Sequence, residues 1–361
     1  MRQRLQSEGK VMASVLTIIL NWRSAEMSLR SAESALAAMQ GVRGAITIVD
    51  NASGDGSFEV MEKAVTARGW DQGETPVRVL QSGRNGGFGA GNNVGIRAGL
   101  PPGFPGGVRP DYVYILNSDA FPAPDAIRVL RDHLDQNPGT GFAGSFIHGE
   151  DGTPHHTAFR YPTALNDFER HIRLGLVSKA MKNSMVAMPP LASVTRVDWL
   201  AGASLMMRMD VLEEIGLFDE RFFLYYEETD LCLRASRAGW PTDYVPESRV
   251  AHIGSVSTGM GRWQRIPGFW LDSRLHYFAK NHGRAYAAAA TVFAALGGLI
   301  WRARLLVQRG RDRMDPPHYL RDLVAHDMRR GFGMTPMPEG ATPEHDLPLW
   351  AAMPQSREEE I

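Results

Sequence analysis

Three short apolar runs in a row, each ending in polar residues and followed by a helical pattern, constrain this chain more than any other feature. Val11–Trp22 is the first and closes on Asn21-Trp22-Arg23-Ser24. Leu29, Ala32, Ala35, Leu36 and Met39 then recur at three- and four-residue spacing, with Gly41 and Gly44 as stops. Ala45–Val49 is the second run and leads into Asp50-Asn51-Ala52-Ser53-Gly54-Asp55-Gly56, with a helix expected over Ser57–Arg68. Val77–Leu80 is the third, followed by the glycine-rich stretch Gly83–Asn93 and a helical pattern over Val94–Ala98. Successive βα units imply a parallel sheet with right-handed crossovers, and their strand-end loops then lie along one edge. Asp50, the glycine-rich loop and Asp119 are therefore expected to converge on one cleft.

Asp111–Phe121, DYVYILNSDAF, is the next strand. Tyr112, Val113, Tyr114 and Ile115 suit a buried strand, and Asn117, Ser118 and Asp119 end it. Open α/β sheets take their ligands at such ends. A carboxylate there can hold a hard divalent cation, and the cation a diphosphate. An Asx turn or a helix N-cap would account for the same triplet.

The glycines of residues 83–91 do not form a dinucleotide-binding fingerprint. Reading G-x-G-x-x-G from Gly87 puts Asn92 at the last position, and from Gly89 it puts Val94 there. No Gly-Lys-Ser/Thr follows, so a P-loop is excluded as well. The glycines still let backbone N–H groups approach a phosphate or base, and Asn85, Asn92 and Asn93 add hydrogen-bonding capacity.

Ala126–Leu134 reads as a helix and Gly141–Ile147 as a strand. The pattern then dissolves over Asp151–Pro190, with weak helical character around Leu165–Met181. Gly152 and Pro154 argue against a helix that would join Asp151 to His155, so His155 and His156 read as surface residues. Strand character returns over Val194–Met207, and a second chemical stretch follows in Phe218–Arg234. Glu227, Glu228 and Asp230 open a helix behind the aromatic run Phe222, Phe223, Tyr225 and Tyr226. Acids favour helix N-termini, and a carboxylate against an apolar wall also gains a raised pKa and the character of a general base. Pro241–His252 is a final strand ending at His252.

Composition sets the outer bounds. The 361 residues carry a net charge of −1, and nothing in that balance points to nucleic acid. The single cysteine, Cys232, excludes an internal disulfide framework and fits a reducing, cytoplasmic compartment. The first apolar run lacks a cleavage site, and no stretch reaches the length of a clear transmembrane helix.

Five stretches together resemble the inverting family 2 glycosyltransferases, in particular the bacterial rhamnosyltransferase and galactofuranosyltransferase branch. They are Ile48–Ser53, Asn85–Asn93, Leu116–Asp119, Trp199–Ala203 and Phe222–Arg234, and the resemblance covers about two-thirds of the chain. It implies an α/β fold of the GT-A type, with a mostly parallel central sheet, helices on both faces and a C-terminal helical extension. It also implies roles. Asp50 and Asn51 would contact base and ribose, and Asn85 and Gly87 would line the nucleotide pocket. Asn117-Ser118-Asp119 would stand for the family's Asp-x-Asp motif, with Asp119 as a ligand to Mg2+ or Mn2+ and Asn in place of its first Asp. His252 would complete the metal sphere or touch the diphosphate, with a plain strand-end histidine as the alternative. Trp199 and Gly202 would border sugar and acceptor. Glu228 would be the catalytic base, with Glu227 as its rival.

The implied reaction moves a sugar, L-rhamnose from dTDP-rhamnose, onto a polysaccharide or lipid-linked glycan in cell-envelope synthesis. A UDP-galactofuranose transferase, a nucleotidyltransferase and a non-catalytic sugar-binding subunit are the competing readings. Residues 11–258 are expected to form the catalytic domain, 259–334 a helical region, and 335–361 a disordered, Pro-rich and acidic tail. Within the helical region, Tyr286–Trp301 is uncharged and precedes Arg302, Arg304, Arg309, Arg311 and Arg313. That pattern suits a helix on the inner face of the cell membrane, or a buried alanine-rich core helix.

Overall fold

A computed structural model describes residues 12–182, 185–254, 263–308 and 315–347. Arg309, Arg311, Arg313 and the last fourteen residues of the expected tail lie outside them. The three βα units are present: β1 (Val15–Asn21), α1 (Ala25–Ala38), β2 (Gly44–Asp50), α2 (Ser57–Ala67), β3 (Val77–Gln81) and α3 (Phe88–Ala98). β4 (Tyr112–Asn117), β5 (Ala120–Pro122), α4 (Ala126–Gln136) and β6 (Phe142–His148) follow. The weakly patterned stretch supplies β7 (Ala158–Phe159), α5 (Ala164–Ile172) and α6 (Gly175–Ala180), and the strand character expected from Val194 begins with β8 (Thr195–Val197) and β9 (Trp199–Leu200). β10 (Ser204–Arg208), α7 (Met209–Ile215), α8 (Glu227–Arg237) and β11 (Thr242–His252) complete the domain.

Strands β3-β2-β1-β4 run parallel, and β10 enters antiparallel between β4 and β6. β11 then pairs parallel with β6. Alternate residues of each strand face opposite layers, as the strand period of two requires. Ile19, Ile46 and Tyr114 pack with Leu29, Met61 and Leu130 of α1, α2 and α4. Leu16, Ile18 and Ile115 pack on the other side with Ile96, Leu212 and Leu231 of α3, α7 and α8. The sheet is thus clad on both faces, and the carboxyl ends of β1, β2 and β4 share one edge.

The C-terminal helices α9 (Gly268–His282), α10 (Arg284–Val307) and α11 (Tyr319–Arg329) are fastened to the domain by a buried ion network. Arg274 is fully buried; its guanidinium donates to Asp167 of α5 at 2.6 Å and to Asp327 of α11 at 3.1 Å. Thr291 of α10 donates to the same Asp327 at 2.6 Å. One arginine therefore joins four helices.

Two expectations need correction. The apolar helix exceeds the sixteen uncharged residues read from the sequence: α10 has 24 residues and is long and apolar enough to cross a membrane by length and composition alone. Arg302 and Arg304, which follow the uncharged run, lie within the helix rather than beyond its end. The tail is also not disordered throughout. Residues 335–347 lie packed across the domain, with the Leu217 N–H donating to Glu344 O at 2.8 Å and Lys280 paired with the Glu344 carboxylate at 2.8 Å. Arg84 reaches Gly340 O at 2.9 Å and Arg97 reaches Asp346 O at 3.1 Å. An acidic, proline-rich segment buries little apolar surface of its own, but these cations hold its carbonyls and carboxylates.

Arg274→Ala would leave Asp167 and Asp327 buried without their cation. Removing one partner of a buried pair costs about 3–5 kcal/mol, and urea unfolding should report a loss of that size; an unchanged midpoint would show that the network carries no stability.

Candidate active site

The floor of the site is built by polar side chains at the ends of β1 and β2. Asn21 is fully buried and its Nδ2 donates to Asp50 Oδ1 at 2.7 Å. Asp50 also accepts from the Ser53 N–H at 3.1 Å and from Gln81 Nε2 at 3.0 Å, and is 1% exposed. Its carboxylate shapes the loop that carries Asn51. Asn51 Nδ2 donates to Asn85 Oδ1 and to Gly87 O, both at 3.1 Å, which ties the β2 loop to the glycine-rich loop.

That loop in turn abuts the acidic stretch. Gly87 has φ +90°, and a Cβ there would overlap the Phe223 carbonyl, to which the Phe88 N–H donates at 2.9 Å. α3 begins at Phe88, six residues before the helical pattern expected at Val94. Its glycines, a poor omen for a helix, let it close on β1, since Gly91 packs against Leu20 and Gly95 against Ile18. Asn93 is fully buried: it donates to Phe218 O at 2.9 Å and Glu220 Oε1 at 3.1 Å, and accepts from the Phe218 N–H at 3.1 Å. Glu220 is also held by Arg84 and by Arg97. The loop's asparagines therefore serve partly as staples.

At the end of β4, Asp119 meets His252 from β11, with His252 Nε2 3.0 Å from Asp119 Oδ1. Burial pushes the Asp119 carboxyl up, but the hydrogen bond and charge of His252 outweigh it and hold the group below its ordinary value. Asn117 Nδ2 lies 3.3 Å from His252 Nε2. A carboxylate at 117 would add a second negative charge there; the amide adds a neutral partner. Ser118 is buried beside them. His155, read from the sequence as a surface residue, is half-buried and edge-on to His252, with ring centroids 6.1 Å apart. The backbone brings it there without a helix, because the His155 N–H donates to Ile147 O at 3.0 Å. His156 is exposed, as expected. A carboxylate and an imidazole meeting at one point fit a divalent cation. Among the described residues no group of three His, Cys, Asp or Glu side chains forms a complete cation site.

The acidic pair sits at the start of α8. Tyr225 and Tyr226, immediately before it, both hold φ of 69°, a left-handed conformation that costs bulky residues energy and recurs at functional sites. Glu227 is 2% exposed, with Oε2 lacking a hydrogen-bond partner among the described residues. Burial and the neighbouring Glu228 push its carboxyl well above the usual range. Glu228 is less enclosed and accepts from the Gly202 N–H, and burial pushes it up to about 7. Gly202 also lies against the Phe88 ring, and the neighbouring Ala203 carbonyl accepts from the Asn117 N–H at 3.1 Å. Trp199 stacks on Phe159 at 4.2 Å and donates to Arg160 O at 3.0 Å.

A continuous path of contacts therefore joins Asp119, His252, Asn117, Ala203, Gly202, Glu228, Phe88, Gly87, Asn85 and Asn51. Asp50, Ser118 and Glu227 lie beside this path, next in sequence to Asn51, to Asn117 and to Glu228, whereas the side-chain contacts of Trp199 are with Phe159 and Arg160. Sequence reasoning overlooked Phe88 and Glu220 and placed His155 at the surface. Phe88 and Glu220 stand inside motifs already marked, so that proximity was their one available signal.

Comparison with known proteins identifies the family and the fold. The family model described as glycosyltransferase-like family 2 matches residues 13–265. An N-acetylglucosaminyl-diphospho-decaprenol L-rhamnosyltransferase from Mycobacterium tuberculosis is 30% identical over 268 residues, 73% of this chain and 83% of the relative. The rhamnosyltransferase WbbL of Escherichia coli is 28% identical over 200 residues, 54% of this chain and 71% of the relative. Among solved structures, that of GalNAc-T7 with UDP, GalNAc and Mn2+ superposes with a TM-score of 0.55 at 14% identity, over 91% of this chain and 59% of that one. The chain therefore belongs to glycosyltransferase-like family 2 and is a glycosyltransferase with the GT-A fold.

Proposed function

We propose that the protein transfers L-rhamnose from dTDP-rhamnose to a lipid-linked glycan in cell-envelope synthesis, with inversion at the anomeric carbon. The observation that carries the chemistry is the contact path running from Asp119 and His252 to Glu228 through Gly202. The choice of rhamnose draws on the two relatives named above, and the lipid-linked acceptor on the decaprenol in the name of the first.

Asn51, Asn85 and Gly87 line the nucleotide side, with Asp50 and Ser118 shaping its loops. Asp119 and His252 would hold Mg2+ or Mn2+, which supplies positive charge against a nucleoside diphosphate. Trp199 and Gly202 border the sugar and acceptor. Glu228 takes the proton of the acceptor hydroxyl. The oxygen bonds to the anomeric carbon as that carbon's bond to the diphosphate breaks, and the electron pair leaves with the nucleoside diphosphate. A single displacement inverts the centre and needs no enzyme nucleophile. A general base works best with its pKa near the working pH, and Glu228 meets that condition. Glu227, more deeply buried, is pushed well above the usual carboxyl range by burial and by its neighbour.

Glu228→Gln should lower kcat roughly 10²–10⁴-fold while leaving nucleotide binding intact, and Glu227→Gln should cost far less. The reverse ranking would move the base to Glu227. Transfer should rise with pH through about 7, because the active form of Glu228 is the deprotonated one; a rate that falls over that range would overturn the assignment. In thermal unfolding with Mn2+, dTDP near a hundred times its dissociation constant should stabilise the protein by about 2.7 kcal/mol. A response confined to UDP would replace the donor, and no response to any nucleoside diphosphate would remove the transferase reading of this site.

A further inference from the structure

α10 is pinned along one side only. Ala290, Thr291, Ala294, Gly297 and Gly298 are buried, and a Cβ on Gly297 would crowd the Phe168 carbonyl of α5 while one on Gly298 would touch Leu320 of α11. The helix therefore lies flat along the domain by its small residues. Its opposite side presents Val292, Leu296, Leu299, Ile300, Leu306 and Val307, between 41% and 86% exposed, at helical spacing. This stripe extends roughly 22 Å along the helix. Monomeric soluble proteins rarely leave so continuous an apolar face bare.

The charge around the stripe distinguishes its partner. No Asp or Glu occurs between Asp272 and Asp312, while Arg284, Arg302, Arg304, Arg309 and Arg311 fall in that interval. Arg304 is turned to the Ile172 and Arg173 carbonyls, so the start of α6 lies at this end of the helix, with Leu176 79% exposed and Lys179 exposed. Docking of a second copy on the same stripe would bring arginines against arginines. A surface of anionic headgroups over hydrocarbon matches both the charge and the apolar character.

We propose that the outer face of α10, with the beginning of α6, docks the enzyme on an anionic lipid bilayer, the helix lying in the plane of the interface. A spanning orientation would require α10 to leave α5 and expose Gly297 and Gly298. The docking face stands on the geometry of α10; its use in catalysis rests on the lipid-linked acceptor proposed above.

The full chain should sediment with vesicles of phosphatidylcholine and phosphatidylglycerol, less with phosphatidylcholine alone, and less as salt is raised. Leu296→Glu/Ile300→Glu, both at exposed positions, should weaken vesicle binding roughly ten-fold or more while keeping the melting temperature and its response to dTDP with Mn2+. Vesicle binding unchanged in this variant would overturn the proposal. So would absence of vesicle binding by the native chain, and a dimer in gel filtration that the variant dissociates would then identify a second copy as the occupant. Because vesicle binding is measured without donor or acceptor, its failure is distinct from failure of the transferase reading, which the nucleotide response tests.

Discussion

The closeness of Gly87 to the Phe223 carbonyl is the contact on which the site depends. No other residue fits there, because any side chain would overlap the backbone it faces. The Phe88 N–H seals the seam with a hydrogen bond to the same carbonyl. One side of this seam carries the loops proposed to face a nucleotide, and the other leads within five residues to Glu227 and Glu228. Asn93 and Glu220 fasten the same two segments a short distance away. The glycine-rich loop and the acidic pair are thus set relative to each other by backbone contact, which side-chain motion does not relax.

The two glutamates show how local backbone produces chemistry. Tyr225 and Tyr226 adopt left-handed conformations that neither would choose alone, and the chain turns sharply into α8. The turn buries Glu227 and leaves Glu228 at the edge of the same apolar surroundings. Two identical side chains one residue apart therefore meet different environments.

Much of this was legible in the sequence where the physics is local. Short apolar runs, their polar ends and the helical spacing that follows gave the βα units and the edge they share. The positions of Asp119, Glu227, Glu228 and Gly202 followed from the five motifs. The rest depends on contacts distant in sequence. The insertion of β10 between β4 and β6 has no local signature. Gly89 and Gly91 read as loop because their part of the helix is stabilised by packing on Phe218 and Leu20, which composition does not reveal. His155 reaches His252 through a backbone pairing that Gly152 and Pro154 permit, whereas only a helix was weighed. The tail read as unstructured because its partners Arg84, Arg97 and Lys280 lie far upstream.

The position of that tail has a consequence for the order in which the molecule is made. The chain emerges from its N-terminus during synthesis. Arg84, Arg97 and Glu220, which brace the glycine-rich loop, acquire their full set of partners only when residues 340–346 arrive. The part of the site encoded first is therefore the part finished last, and a nascent chain already holding Glu227 and Glu228 still lacks the brace on Arg84, Arg97 and Glu220.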